Sequence, residues 1–248
     1  MTDLDWLCRP IAHRGLHDSR RGIIENSASA IEAALENDYA IEVDLRPERD
    51  NRPIVFHDAV LDRLTGQAGP LRSQSVQTLT NIGYKNSDDH LLSFAALLEI
   101  VSGRVPLIIE VKSDWSGNQL EFVKSIGAAL ESYRGHTAIM SFDPRLMADF
   151  AKFFPKIPRG LVAERFRDPH DKSMLTWRQR FLFRHLLKSG IAKPGFIAYD
   201  ISGLPAFAPL VARHVFGLKL LTWTIRTKDE RKRAAKWADA IIFEDFRP

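Results

Sequence analysis

The sequence predicts an α/β protein built as an eight-stranded (β/α) barrel, and three observations carry that prediction. Short runs rich in β-branched residues alternate with longer helical periodicities along nearly the whole chain. The 248 residues suffice for eight such units around one core. Charged and polar residues gather at the ends of the predicted strands, where a parallel barrel keeps its reactive groups. A doubly wound open sheet is the second architecture this order allows.

Taken in order, Pro10–Arg14 is a short apolar run ending on a charged pair. Ser27 heads a helical spacing of small and apolar residues, so a capped helix is expected over Ser27–Asn37. Within Ala40–Leu45, Ile41-Glu42-Val43-Asp44-Leu45 alternates strictly in polarity, as a strand does. Pro53–His57 is a second apolar run only about eight residues further on, too near for a crossover helix. Residues 59–93 are polar, turn-rich and weakly periodic, and are expected as a short insertion on one end of the barrel. Helical spacing then marks Phe94–Val101, Gln119–Ser132, Arg145–Phe154, Trp177–Lys188, Pro205–Val215 and Asp229–Trp237. Between and after them, apolar runs mark strands at Pro106–Val111, Thr137–Phe142, Gly160–Ala163, Phe196–Ile201, Leu218–Ile225 and Ala240–Phe243. That is nine strands for eight places. Either Ala40–Leu45 or Pro53–His57 is irregularly connected or stands outside the barrel. No internal repeat or linker composition interrupts the chain, so residues 1–248 are expected to form a single domain.

Composition excludes several classes. With 45% hydrophobic and 27% charged residues, 14 Gly and 13 Pro, the chain is neither collagen-like nor of low complexity. No charge-free stretch is long enough for a membrane-spanning helix. The first residues are acidic and lack an apolar signal segment, and the single Cys8 cannot form an intrachain disulfide. A cytoplasmic location is expected. The net charge of +4 comes from 35 basic and 31 acidic residues that are broadly interspersed, unlike the basic face of a nucleic-acid binder.

The chemistry collects at strand ends. Glu42 and Asp44 project from one face of their strand, and Ile109-Glu110-Val111-Lys112 puts Glu110 and Lys112 on one face of another. Three carboxylates converging in one barrel mouth repel each other, and burial disfavours charge on each. One hard divalent cation, Mg²⁺ or Ca²⁺, removes that conflict because it takes oxygen ligands. His13 and His57 close two strands and suit proton transfer near neutral pH. Arg14 and Lys112 supply positive charge for an oxyanion, unless each is a structural ion pair. Two acid–base groups, a metal and two cations meet the needs of displacement at the phosphorus of a phosphodiester.

These residues resemble the glycerophosphodiester phosphodiesterase family, whose fold is a TIM barrel. The resemblance runs almost end to end: Ile11-Ala12-His13-Arg14-Gly15, then Glu25-Asn26-Ser27 at a helix start, Glu42-Val43-Asp44, and Pro53-Ile54-Val55-Phe56-His57-Asp58 with Leu61-Asp62-Arg63 behind it. Ile109-Glu110-Val111-Lys112, Ser141-Phe142-Asp143 and Thr222-Trp223-Thr224 complete the set. The resemblance implies that Glu42, Asp44 and Glu110 bind the metal, together with substrate hydroxyls. It implies that Arg14 and Lys112 hold phosphate, that His13 and His57 exchange protons with the attacking and leaving oxygens, and that Glu25 and Asn26 support the site. Phe142 and Trp223 would wall the pocket, with ordinary aromatic packing as the alternative. Which histidine acts first as base, and whether a glycerol hydroxyl or water attacks, stay open.

The implied activity is metal-dependent hydrolysis of glycerophosphodiesters to sn-glycerol 3-phosphate and an alcohol. The alternatives are a phospholipase (lysophospholipase D or phospholipase C-like) acting on membrane lipids, and a non-catalytic barrel that binds a phosphoester. The family's usual Thr-x-Asp-Gly turn appears as Glu48-Arg49-Asp50-Asn51, where Asn tolerates the left-handed conformation. Arg226 and Glu244-Asp245 also depart from the family pattern and are expected to pair with each other. Residues 174–193 mix Trp177 and Phe181 with Arg178, Arg180, Arg184 and Lys188, while Leu182, Phe183, Leu186 and Leu187 share the opposite face of the predicted helix. Peripheral contact with a phospholipid surface is one expectation for this segment, and a solvated helix is the other. No nucleic-acid partner is expected, and the sequence leaves the oligomeric state open.

Overall fold

A computed structural model of the chain describes residues 4–115, 117, 119–168 and 173–248. They fall into two compact units, Ile11–Lys112 with Asn118–Thr137, and Met1–Pro10 with Ser113–Gly117 and Ala138–Pro248.

The first unit runs through β1 (Ile11–Ala12), α1 (Ala28–Glu36), β2 (Ala40–Pro47), β3 (Pro53–Val55), α2 (Val76–Leu79), β4 (Leu92–Ser93), α3 (Phe94–Val101), β5 (Leu107–Val111) and α4 (Leu120–Ser132). Ser27 starts α1 as expected, its hydroxyl accepting from Ala30 N at 3.3 Å. Strand β2 lies parallel to β1 on one side and to β5 on the other, in a register that sets Asp44 beside Glu110. Both faces of β2 are buried over residues 40–45, so its polar alternation marks a charged interior and not a solvent face. Strand β3 runs antiparallel to β2, pairing Leu45 with Val55 and Pro47 with Pro53. This settles the surplus strand: Pro53–His57 is the one outside the parallel set. The intervening turn is closed by the buried Glu48, which accepts from Asp50 N at 2.7 Å, Arg52 N at 2.9 Å and Val76 N at 3.1 Å. Asn51 takes the left-handed conformation there, at φ 61°. The two-residue β4 pairs antiparallel with β3 and had no sequence signal of its own.

Residues 59–93 are more ordered than their weak periodicity implies. Leu61, Leu71, Leu79, Tyr84 and Leu91 form a buried cluster with Ile24, Ile54 and Phe56. Irregular turns set the spacing of these residues, so neither a helical nor a strand period appears in the sequence.

The second unit runs through β6 (Thr137–Ser141), α5 (Pro144–Phe153), β7 (Arg159–Ala163), α6 (Trp177–Arg184), α7 (Ser189–Ala192), β8 (Phe196–Asp200), α8 (Phe207–His214), β9 (Lys219–Ile225), α9 (Lys228–Trp237) and β10 (Ala240–Phe243). Its strands pair in sequence order, and every pair is parallel. Asp143 caps α5 with Pro144 in its first turn, and Thr176 with Gln179 and Thr227 with Glu230 form capping boxes on α6 and α9. Strands β1, β2 and β5 with β6 to β10 are the eight parallel strands of the expected (β/α)8 class, and β3 and β4 are an antiparallel addition.

One helix is shorter than its periodicity suggests. The pattern over Trp177–Lys188 breaks after Arg184, because Leu186 turns into the left-handed region at φ 56°. Leu187, expected to share a helix face with Leu186, is 59% exposed, while Leu186 is buried.

Candidate active site

The charged residues and histidines expected to bind metal or phosphate, to move protons or to support the site lie in the first unit, on β2 and β5 or in the segments that follow β1, β3 and β5. The carboxylates of Glu42, Asp44 and Glu110 each offer an oxygen within 4.8 Å of the others. Glu42 and Asp44 are each only 1% exposed. Strict alternation along β2 and the parallel register with β5 bring them together.

The strand-to-loop turn after β1 is shaped to this cluster. Arg14 and Gly15 are both left-handed, at φ 56° and 79°. That geometry points Arg14 N at Glu42 Oε2 (3.0 Å) and Gly15 N at Glu42 O (3.2 Å). A Cβ on residue 15 would stand 2.8 Å from the backbone of Ala30, so only glycine fits. Asn26, also left-handed, closes the turn by donating its N–H to Arg14 O at 2.8 Å.

Both proposed phosphate-binding cations are engaged with carboxylates. Lys112 Nζ lies 2.5 Å from Glu110 Oε1 and 2.9 Å from Asp44 Oδ1. Arg14 Nη1 donates to Glu25 Oε1 at 2.6 Å, and its Nε lies 3.2 Å from Asp44 Oδ2. Burial opposes ionisation of Asp44, but Lys112 and then Arg14 outweigh it and hold the carboxyl well below its ordinary range. Glu42 goes the other way: burial, then the charges of Asp44 and Glu110, raise it well above the ordinary value. Its Oε1 is buried with no hydrogen-bond partner. An all-carboxylate donor set with one such oxygen is the chemistry that a hard divalent cation completes.

The two histidines are held differently. His13 Nε2 lies 3.9 Å from Glu42 Oε2. His57 Nδ1 lies 2.7 Å from Asp58 Oδ1. Burial opposes ionisation of Asp58 too, but hydrogen bonds from His57 and Arg63 more than offset it, so the carboxylate is ionised. An ionised carboxylate only accepts, so His57 Nδ1 carries the proton and Nε2 is the basic atom of the neutral ring. Phe56 N donates to Asp44 O at 3.0 Å and Arg46 Nε to His57 O at 2.5 Å, tying this loop to β2.

Arg63 was quoted in a motif but given no role by sequence, and it completes the network. Its guanidinium grips Asp58 Oδ2 through Nε at 2.6 Å and forks onto both oxygens of Glu25 at 2.8 and 2.9 Å. A continuous line of ionic contacts thus runs from His57 through Asp58, Arg63, Glu25 and Arg14 to Asp44.

Phe142 and Trp223 lie in the second unit, packed edge to face with centroids 5.7 Å apart. Trp223 Nε1 is buried without a partner. Asp143 of the same motif is structural: it caps α5 through Arg145 N and accepts from Ser113 Oγ at 2.7 Å. Arg226 and Glu244 pair as expected, at 2.6 Å.

A model of the glycerophosphoryl diester phosphodiesterase family matches residues 13–247. The chain belongs to this family. The family is one of phosphoric diester hydrolases. A glycerophosphodiester phosphodiesterase of Caldanaerobacter subterraneus subsp. tengcongensis is 24% identical over 95% of this chain and 93% of its own length. Among solved structures, a phosphodiesterase of Oleispira antarctica in complex with the product sn-glycerol-3-phosphate aligns with a TM-score of 0.76 at 18% identity, over 95% of this chain and 92% of that one. A glycerophosphodiester phosphodiesterase of Thermotoga maritima aligns with a TM-score of 0.69 at 20% identity, over 94% and 92%. At these identities the two structures bear on the fold alone.

Proposed function

We propose that the protein is a metal-dependent glycerophosphodiester phosphodiesterase that releases sn-glycerol 3-phosphate and an alcohol. The observation that carries this reading is the buried carboxylate cluster of Glu42, Asp44 and Glu110, with the partnerless Glu42 Oε1. These three residues would hold one divalent cation, Mg²⁺ or Ca²⁺, which when bound supplies Lewis-acid stabilisation of charge on the phosphoryl group.

The chain's own groups supply the rest. Arg14 presents a planar donor set and Lys112 a point charge, and both are candidates to turn toward phosphate oxygens. The Asp58 carboxylate keeps the His57 proton on Nδ1, which suits Nε2 to take a proton from the attacking oxygen. His13, beside Glu42, is the partner candidate for donation to the leaving oxygen. Glu25, Asn26 and Arg63 position these groups without touching the substrate. Phe142 and Trp223 are proposed as apolar contacts for the substrate. We place the activity in the cytoplasm, in a single domain over residues 1–248, with residues 59–93 as its insertion. Among the described residues no helix is long and apolar enough to cross a membrane.

The test is ³¹P NMR of a panel of glycerophosphodiesters and lysophospholipids incubated with the protein, with and without chelator. Release of sn-glycerol 3-phosphate, stopped by chelator and restored by Mg²⁺ or Ca²⁺, is the expected result. No cleavage of any glycerophosphodiester in the presence of metal overturns the reading, and a rate that requires an acyl chain replaces it with a phospholipase.

A further inference from the structure

Residues 173–193, which lie in the second unit between β7 and β8, carry Arg178, Arg180, Arg184, Lys188 and Lys193 and no acidic residue. The segment is fastened by its own buried groups. Leu175 and Leu186 are buried, and the Phe183 ring stacks on Trp115 at 5.6 Å and meets Phe166 at 6.3 Å. The Thr176–Gln179 capping box fixes the start of α6.

Those anchors leave several large apolar side chains of the segment unused. Trp177 is 66% exposed, Phe181 54% and Leu187 59%, and Met174 and Ile191 of the same segment are exposed as well. Arg178 lies over the Trp177 ring at 5.4 Å, and the Phe181 ring lies 4.6 Å from that of His185. Scattered single hydrophobics on a surface need no explanation, but five within eighteen residues of one acid-free segment do. Packing does not account for them, because Leu175, Phe183 and Leu186 already dock the segment.

We propose that this face binds peripherally to an anionic phospholipid surface. Tryptophan and phenylalanine insert at the boundary between headgroups and acyl chains, and arginine and lysine pair with lipid phosphates. A lipid surface fits better than a second copy of the chain, since an isologous contact would bring two acid-free basic segments against each other. The inference does not depend on the reaction that the protein catalyses.

Co-sedimentation with vesicles tests it. The whole protein is expected to bind vesicles of phosphatidylcholine mixed with phosphatidylglycerol, and to bind phosphatidylcholine alone far more weakly. Binding should fall at least about tenfold in the Trp177→Ala/Phe181→Ala variant and in the Arg178→Glu/Lys188→Glu variant, and should weaken with salt. All four side chains are exposed, so both variants should keep the parent's circular dichroism and melting temperature. Absence of binding to mixed vesicles, or undiminished binding by either folded variant, overturns the proposal. So does a dimer by light scattering that Trp177→Ala/Phe181→Ala dissolves, which would make the occupant a second copy.

Discussion

Asn26 and Asp44 exchange two hydrogen bonds: Asn26 Nδ2 donates to Asp44 Oδ2 at 2.9 Å, and Asp44 N donates to Asn26 Oδ1 at 3.2 Å. Only a side-chain amide can both give and take here, and Asn also tolerates the left-handed φ of 61°. Asn26→Asp keeps the shape and the backbone tolerance but sets a second acceptor against the Asp44 carboxylate. We expect this variant to lose about 10–100-fold in affinity for Mg²⁺ or Ca²⁺ by calorimetry, the usual effect of removing a partner that orients a ligand. Unchanged affinity would mean that Asp44 is not held in place for a metal.

The His57–Asp58 contact makes a separate prediction about rate. Asp58→Asn offers an amide donor as well as an acceptor, so it no longer forces the proton onto Nδ1. We expect kcat on a glycerophosphodiester to drop about 10²–10⁴-fold with the fold intact, and KM to change little. Asp88→Asn, at an exposed position in the same unit, is the control and should leave kcat unchanged. Equal rates for the parent and Asp58→Asn would remove the orienting role.

How far each feature was legible in the sequence depends on its range. Glu42 and Asp44 could be placed on one face because strand periodicity is local, and Ser27 could be recognised as a cap for the same reason. The convergence of these two carboxylates with Glu110 was also expected, but the register that sets Asp44 directly beside Glu110 was not legible, since register is set between strands far apart in the chain. Arg63 sits in a stretch without periodicity, and it acts only because the excursion folds back to bring it within reach of both Glu25 and Asp58. Leu187 was misplaced for a converse reason. Apolar spacing continues past Arg184, but one left-handed residue, Leu186, ends the helix and turns the next side chain outward.

Outside the site, Asp239 links pH to stability. Its carboxylate accepts from Arg213 Nη2 at 2.7 Å and from Leu220 N at 2.8 Å. Burial opposes its ionisation, but Arg213 and the Leu220 N–H more than offset that and lower its pKa. A depressed folded pKa contributes stability that is fully present above the unfolded value of about 3.9 and is lost as pH falls through the folded value. Asp239→Asn should therefore cost about 1–3 kcal/mol in urea unfolding at neutral pH, and the difference should shrink as pH falls below about 4. A difference independent of pH would remove the carboxylate charge from the explanation.

Lys112 supplies the last test, because its ammonium bridges the two carboxylates that a metal would also use. With Nζ 2.5 Å from Glu110 and 2.9 Å from Asp44, it sets one positive charge against both buried carboxyl groups. Lys112→Met removes that charge and keeps most of the stem volume. In chelator the variant should lose about 3–5 kcal/mol, the cost of leaving buried charge uncompensated. Added Mg²⁺ or Ca²⁺ replaces the missing charge and stabilises the folded state by mass action, about 2.7 kcal/mol at a hundredfold excess over Kd. The parent should gain less from the same metal concentration, because its cation shares Asp44 and Glu110 with the ammonium. Melting curves of both proteins with and without metal decide the matter: a larger metal-induced rise in Tm for Lys112→Met supports a cation at Glu42, Asp44 and Glu110, and equal rises exclude it from that position.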